Sequence, residues 1–142
     1  MKKSIFLLVA FSFLLIVSPL GSAIERDPNS ITSTFFQTLQ KGNVEKAYDL
    51  LWKGSEIISE KKQMISMIKS QTKTALDLYG VIIGYEKVME EEFGTSIVRF
   101  VYVLKQERHP TVWEFYLYKP KTEWTVSQVK FDDQFQALIR KK

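Results

Sequence analysis

The sequence contains no cysteine and only one histidine among its 142 residues. Without cysteine the chain cannot form a disulfide, a thiolate metal site or a cysteine nucleophile, and it has no lipoprotein cysteine to carry a lipid. A single histidine cannot build a multi-histidine metal centre. The sequence therefore predicts no metal and no cofactor, and a domain that its core alone must hold together.

Other familiar signatures are also missing. The chain has no glycine-rich phosphate loop, no G-x-S-x-G turn and no H-E-x-x-H zinc motif. Basic and acidic residues are interspersed, apart from the basic end Arg140-Lys141-Lys142. Because a nucleic-acid-binding domain concentrates its basic residues on one face, we predict no nucleic-acid partner.

The N-terminal stretch has the three-part layout of a secretory signal peptide. Lys2 and Lys3 precede an uncharged apolar run from Ile5 to Val17, and small residues follow up to Ala23. The run is shorter than the roughly 20 apolar residues of a membrane-spanning helix, although the segment could instead remain as an uncleaved anchor. We predict a signal peptide over 1–23 and no stable membrane anchor after cleavage. The protein would then be exported to the periplasm or secreted.

The remaining residues, 24–142, are predicted to form one domain. Loss of Lys2 and Lys3 leaves 18 of the 20 basic residues against 16 acidic ones, a net charge of +2. A chain of this length can bury a sizeable core. Its first half has the apolar spacing of helices and its second half that of strands.

Two short helices come first. Asp27 can cap the first helix, Pro28 suits its first position, and Gly42 ends it. Asn43 can cap the second helix, which ends at Gly54. Because so few residues join them, the two helices must turn sharply against each other.

A longer amphipathic helix is predicted over Glu60–Tyr79, with Ser59 as its cap. Its apolar side, spaced by three and four residues, is predicted to pack inward. That side consists of Met64, Ile65, Ile68, Thr72, Ala75, Leu76 and Tyr79.

Beyond Gly80 the apolar period changes to two, which predicts four strands joined by short turns in an antiparallel meander. A closing helical turn is predicted over Gln134–Lys142. The fold class is therefore α+β, with the N-terminal helices packed on a curved four-stranded antiparallel sheet. The predicted strands run from Val81 to Glu91, Ser96 to Glu107, Thr111 to Lys119 and Glu123 to Asp132.

A loop at His109-Pro110 would set the register of the two central strands. Lys105 would then face Glu114, and Tyr102 would face Leu117. The reverse face is a mixture of valine, tyrosine and charged residues, which suits a dimer contact or a curved sheet; we predict a homodimer through the sheet. The helix side receives Val98, Phe100, Tyr102, Leu104, Trp113, Phe115 and Leu117.

The last hairpin allows two arrangements. A two-residue loop at Lys121-Thr122 sends Trp124 and Val126 toward the helices. A three-residue loop sends Thr125, Val129 and Phe131 there instead. We favour the first arrangement.

The order of elements resembles the nuclear transport factor 2-like superfamily, also called the cystatin-like α+β or polyketide-cyclase-like fold, in an exported bacterial form. The residues that carry the resemblance are FFQTLQKGNVEKAYDLLW (35–52) and WEFYLYKPKTEWTVSQVKFDD (113–133). The resemblance implies a cone-shaped domain with a pocket between the long helix and the sheet, and a dimer formed through the sheet. The superfamily contains both enzymes and partner-binding subunits, so it leaves the function open.

The resemblance directs the search for a site to the pocket of the cone. We favour a non-enzymatic binding or interaction domain that takes a small apolar ligand or a protein partner. The aromatic side chains could line that pocket or could instead fill the core. The candidates for the pocket wall are Tyr48, Trp52, Tyr79, Phe100, Tyr102, Trp113, Phe115 and Trp124.

The alternative is a small enzyme of the isomerase, dehydratase or cyclase type. Tyr48, Asp77, Tyr79 or Tyr102 would be its acid or base. His109 is expected at an exposed hairpin tip, and Asp132-Asp133 at a solvated strand end. Neither is predicted to be catalytic.

Overall fold

A computed structural model describes residues 26–139 of the chain. The predicted signal peptide over 1–23 and the basic end at 140–142 lie outside the described residues. Between residues 26 and 139, no helix has both the length and the hydropathy needed to cross a membrane.

The structure is α+β, as predicted, with three helices packed against one antiparallel sheet in the strand order β1-β2-β3-β4. Each strand begins and ends within two residues of its predicted limits. The helices are α1 (Pro28–Gln40), α2 (Val44–Leu51) and α3 (Lys62–Tyr79), and the strands are β1 (Ile82–Phe93), β2 (Ile97–Gln106), β3 (Thr111–Tyr118) and β4 (Thr125–Asp132). Two 3₁₀ turns, Glu56–Ser59 and Gln136–Leu138, complete the described elements.

The predicted caps of the first two helices are confirmed. The Asp27 carboxylate accepts hydrogen bonds from the backbone amides of Asn29 and Ser30, at 2.8 and 3.1 Å. The Asn43 side chain accepts one from the Lys46 amide at 3.0 Å. These bonds satisfy amides that the first turn of a helix leaves without partners.

The predicted start of the long helix is wrong. Ser59 belongs to the 3₁₀ turn Glu56–Ser59, and α3 begins at Lys62 after Lys61, which makes no side-chain capping bond. Glu60 and Lys61, which the apolar spacing assigned to the helix, instead connect the 3₁₀ turn to α3.

The core between α1, α2 and the sheet is filled by aromatic rings. Phe35 and Phe36 of α1 meet Trp113 and Phe115 of β3, with ring centroids 5.5 to 5.8 Å apart across the layers. We call these four residues the aromatic cluster; all are at most 1% exposed. Each such ring pair adds about 0.5–1.5 kcal/mol beyond burial alone. The cluster joins the helical layer to the sheet.

The predicted helix side of the central strands is confirmed, but their register is wrong by four residues. Tyr102 lies opposite Trp113, rather than opposite Leu117. The connection is longer than His109-Pro110, because β2 already ends at Gln106. The Gln106 side chain accepts a hydrogen bond from the Thr111 hydroxyl across this loop at 3.1 Å. A shift by an even number of residues keeps every side chain on its predicted face.

The predicted Lys105–Glu114 pair is also wrong. Glu114 lies opposite Val101 and accepts hydrogen bonds from Arg99 Nε at 2.8 Å and from Lys130 Nζ at 2.9 Å. Lys105 lies 3.7 Å from Glu86 instead.

The Arg99–Glu114 pair is buried on the face of the sheet that points away from the helices. Arg99 is 2% and Glu114 is 3% exposed, and the arginine also contacts Glu91. Burial alone would raise the pKa of Glu114, but hydrogen bonds from Lys130 and Arg99 outweigh it and lower that pKa below its ordinary value. The reverse face therefore contains an ionic network in which Arg99 pairs with Glu91 and Glu114, and Glu114 also pairs with Lys130.

The last hairpin combines parts of both predicted arrangements. Val126 lies opposite Leu117 and Gln128 opposite Tyr116, so Ser127 is an extra residue in a β-bulge. The bulge lets both Val126 and Val129 face the helices. Trp124 precedes β4 and is half-buried against the helix-side core, which is the side that the favoured arrangement predicts.

The chain's own C-terminal segment covers part of the reverse face. Ala137 and Leu138, in the 3₁₀ turn Gln136–Leu138, pack on Val101 and Val112. This turn is the described part of the closing helical turn predicted from the sequence.

We expect Glu114→Ala to lower the free energy of unfolding by about 3–5 kcal/mol, because the Arg99 charge would stay buried without its main partner. Glu91→Ala, which removes a partly exposed partner of the same arginine, is expected to cost about 1 kcal/mol or less. Urea denaturation of both variants measures the difference. Equal losses would contradict the assignment of Glu114 as the main partner.

Candidate functional site

The long helix α3 lies only partly against the rest of the fold. Of its predicted inward side, Ile65 and Thr72 are buried, whereas Met64 is 42% exposed. Met67 and Leu78, which were not on that side, are 57% and 58% exposed. The inward side is therefore narrower than predicted, and an apolar strip of α3 is uncovered.

This strip forms one wall of an open groove of about 810 Å³, which we call the α3–β4 groove. Its other wall is the end of β4 with Thr111 of β3. Among its lining side chains, only Asp132 and Asp133 carry a charge, and both lie at one end. The α3 wall consists of Gln63, Ser66, Met67, Ser70, Gln71, Thr74, Ala75, Leu78 and Tyr79.

Phe131 forms the apolar part of the β4 wall. Its ring stacks on Trp113 of the aromatic cluster, with centroids 4.3 Å apart and planes inclined by 14°. Trp113 Nε1 in turn donates to Thr111 Oγ1 at 2.9 Å. The groove therefore rests on the packed core, and its shape is fixed from below.

The charged end of the groove holds a small cluster of polar groups. Tyr79 donates to an Asp133 carboxylate oxygen at 2.7 Å, and this bond raises the pKa of the tyrosine. His109 Nε2 lies 3.1 Å from the Asp133 backbone oxygen, and its ring packs between Tyr79 and Phe135. These polar and ring contacts connect the end of α3, the end of β4 and the β2–β3 loop.

His109 is therefore only partly exposed, which corrects its predicted place at an exposed tip. The loop folds back on the end of α3, because the Arg108 amide donates to the Tyr79 carbonyl at 2.9 Å and its guanidinium to the Leu78 carbonyl at 2.9 Å. Asp133 is exposed, as predicted, although it is held by Tyr79. Nothing in the spacing of the sequence indicates this folding back.

Two of the predicted site tyrosines lie inside the core. Tyr48 and Tyr102 are 0% and 4% exposed, and their hydroxyls lie 2.8 Å from those of Thr72 and Thr32. Each threonine donates its own hydrogen to a backbone carbonyl of its helix, so each tyrosine is the donor to its threonine. Burial raises the pKa of both phenols. Their hydroxyls join α2 to α3 and α1 to the sheet.

The other predicted site residues are spread over the structure. Trp113 and Phe115 belong to the aromatic cluster, and Asp77 is exposed outside the groove. Trp52 lines a small pocket of about 240 Å³ with Tyr48, and its buried Nε1 has no hydrogen-bond partner. Phe100 and Trp124 line another of about 310 Å³ beside the start of α1. Among the predicted pocket residues, only Tyr79 lines the α3–β4 groove.

Sequence reasoning missed most of the groove. Apart from Ala75 and Tyr79, its α3 wall consists of uncharged residues outside the predicted inward side of the helix. Phe131 belonged to the disfavoured hairpin arrangement. The one available signal was the lack of charge along that side of α3. Among the residues that the structure describes, no group of three or more histidine, aspartate or glutamate side chains could hold a metal ion.

Comparison with protein-family models, with curated proteins and with solved structures found no significant match. The fold and the site together define an α+β domain with an aromatic core and an open, largely uncharged groove along its longest helix.

Asp133→Asn is expected to bring the pKa of Tyr79 back down toward its ordinary value of about 10, because a neutral amide no longer favours the protonated phenol. The neighbouring change Asp132→Asn serves as the matched control and should leave that pKa unchanged. NMR titration of the tyrosine ring-carbon signals measures both variants. An unchanged Tyr79 pKa in Asp133→Asn would contradict the hydrogen bond.

Proposed function

We propose that this chain is an exported, non-enzymatic binding domain of the nuclear transport factor 2-like kind, and that the α3–β4 groove is its binding surface. One observation carries the proposal. The space between α1 and the sheet is filled by the aromatic cluster, whereas the groove between α3 and the end of β4 is open and almost uncharged. A guest would therefore bind in this groove between the long helix and the sheet.

The composition of the groove supports binding of an apolar guest or a protein partner. Met67, Leu78 and Phe131 offer apolar contact, and the serine, threonine and glutamine side chains around them are neutral. Methionine is unbranched and adapts its shape to different surfaces, which suits an open contact. Large exposed apolar side chains in one groove are typical of an interaction surface.

The positions of the ionisable groups support binding over catalysis. The hydroxyls of Tyr48 and Tyr102 are buried and engaged by threonines, so neither has access to a substrate. Tyr79 and Asp133 are bonded to each other at the exposed end of the groove. An acid–base enzyme needs its catalytic group within reach of the bound substrate and free to exchange a proton.

A neutral apolar dye such as Nile red tests the groove directly. Met67→Glu is expected to weaken dye binding about tenfold, or 1.4 kcal/mol, because it puts a carboxylate on the apolar wall. Met64→Glu is a matched control, because Met64 is an exposed methionine of the same helix that does not line the groove. It should leave binding within about twofold.

Fluorescence titration of the dye into both variants and the parent gives the affinities. Equal binding by the parent and Met67→Glu would show that the dye sits elsewhere. Equal weakening by both glutamates would mean that the effect is one of charge on α3 and would contradict the groove as the binding surface.

A further inference from the structure

The groove side of α3 is uncharged along its whole length. Its midpoint falls between Ser70 and Gln71. Met67 and Thr74 lie at equal distances on either side of that midpoint, and Gln63 and Leu78 lie at equal distances further out. Residues spaced by three and four share one side of a helix, so these six positions form a continuous stripe. The stripe carries no charge.

We propose that the occupant of the α3–β4 groove is a second copy of this chain, with the two α3 helices packed antiparallel about a two-fold axis at Ser70 and Gln71. The inference rests on the proposed function, because it names the partner of the same groove. In a two-fold contact each residue meets its counterpart in a reciprocal pair. Leu78 of one copy would meet Gln63 of the other, and Met67 would meet Thr74, at both ends of the contact.

Charge favours the antiparallel arrangement. Lys61 and Lys62 stand at the start of α3, whereas Asp77 and the groove residues Asp132 and Asp133 stand at its end. Antiparallel packing brings the lysines of one copy beside the aspartates of the other, twice by symmetry. Parallel packing would bring like charges together. The middle of the stripe contributes no repulsion in either case.

Other faces are less suited to a second copy. On the reverse face of the sheet, where the sequence predicted the dimer, Ala137 and Leu138 already cover Val101 and Val112. The exposed edge strand β1 presents Ile83, which is 66% exposed, but it carries two irregularities of register and the charged Glu86 nearby. Bulges and charges of this kind oppose pairing between sheet edges.

The lack of native cysteine allows a direct test by cross-linking of the full chain. In the double variant Gln63→Cys/Leu78→Cys, mild oxidation is expected to link two copies through two symmetric disulfides. Each single variant should stay unlinked, because its two cysteines would lie at opposite ends of the contact, about 22 Å apart along 15 helical residues. The same spacing prevents a disulfide within one chain. An equimolar mixture of the single variants should give singly linked pairs on a non-reducing gel.

A charge exchange provides a second measurement that needs no cross-link. Lys62→Asp and Asp77→Lys are each expected to weaken the dimer about fivefold in sedimentation velocity, and the double variant should recover it. Both changes place on the helix the charge that its dipole favours at that end. Loss of folding would therefore not explain a weaker dimer.

The outcomes separate the two proposals. Single variants that cross-link as well as the double variant would overturn the antiparallel register, and so would an exchange that fails to recover the dimer. A monomer that still binds dye in a Met67-dependent way would overturn only the second copy as occupant and leave the groove as a site for another guest. A monomer without such binding would overturn the proposed function as well.

Discussion

The packing of Phe35 and Phe36 onto Trp113 and Phe115 is the contact on which the rest of the structure depends. Two adjacent aromatic residues of α1 fill the space between the helices and the centre of the sheet. The long helix α3 packs at the side of this core through Ile65 and Thr72 and leaves its other face open. The groove therefore lies outside the packed core.

The buried polar groups connect the helices and strands that surround the aromatic cluster. Two tyrosine–threonine hydrogen bonds join the helices to each other and to the sheet, and the Arg99–Glu114 pair links neighbouring strands on the reverse face. Removing one partner of a buried pair costs more than the pair contributes, so such groups are fixed in place. They hold the scaffold, and the groove that we propose as the binding surface lies outside them.

The period of the apolar residues was enough to predict the α+β class and the helix side of the central strands. It could not predict the register, because a shift of four residues leaves every face unchanged and depends on how the 107–110 loop folds back on α3. It could not predict the bulge at Ser127, which turns both Val126 and Val129 inward. Nor could it predict the groove, because the position of α3 depends on packing between distant segments. The resemblance to the nuclear transport factor 2-like superfamily stays a prediction.

The claim that recognition occurs along α3 is tested most directly by NMR of the protein labelled with ¹³C at its methionine methyl groups. Met67 reports on the groove, Met64 on the adjoining side of α3, and Met89 on the reverse face of the sheet. In a dilution series, we expect the Met67 signal to shift with concentration while the Met89 signal stays constant. A concentration-dependent Met89 signal with a constant Met67 signal would contradict it.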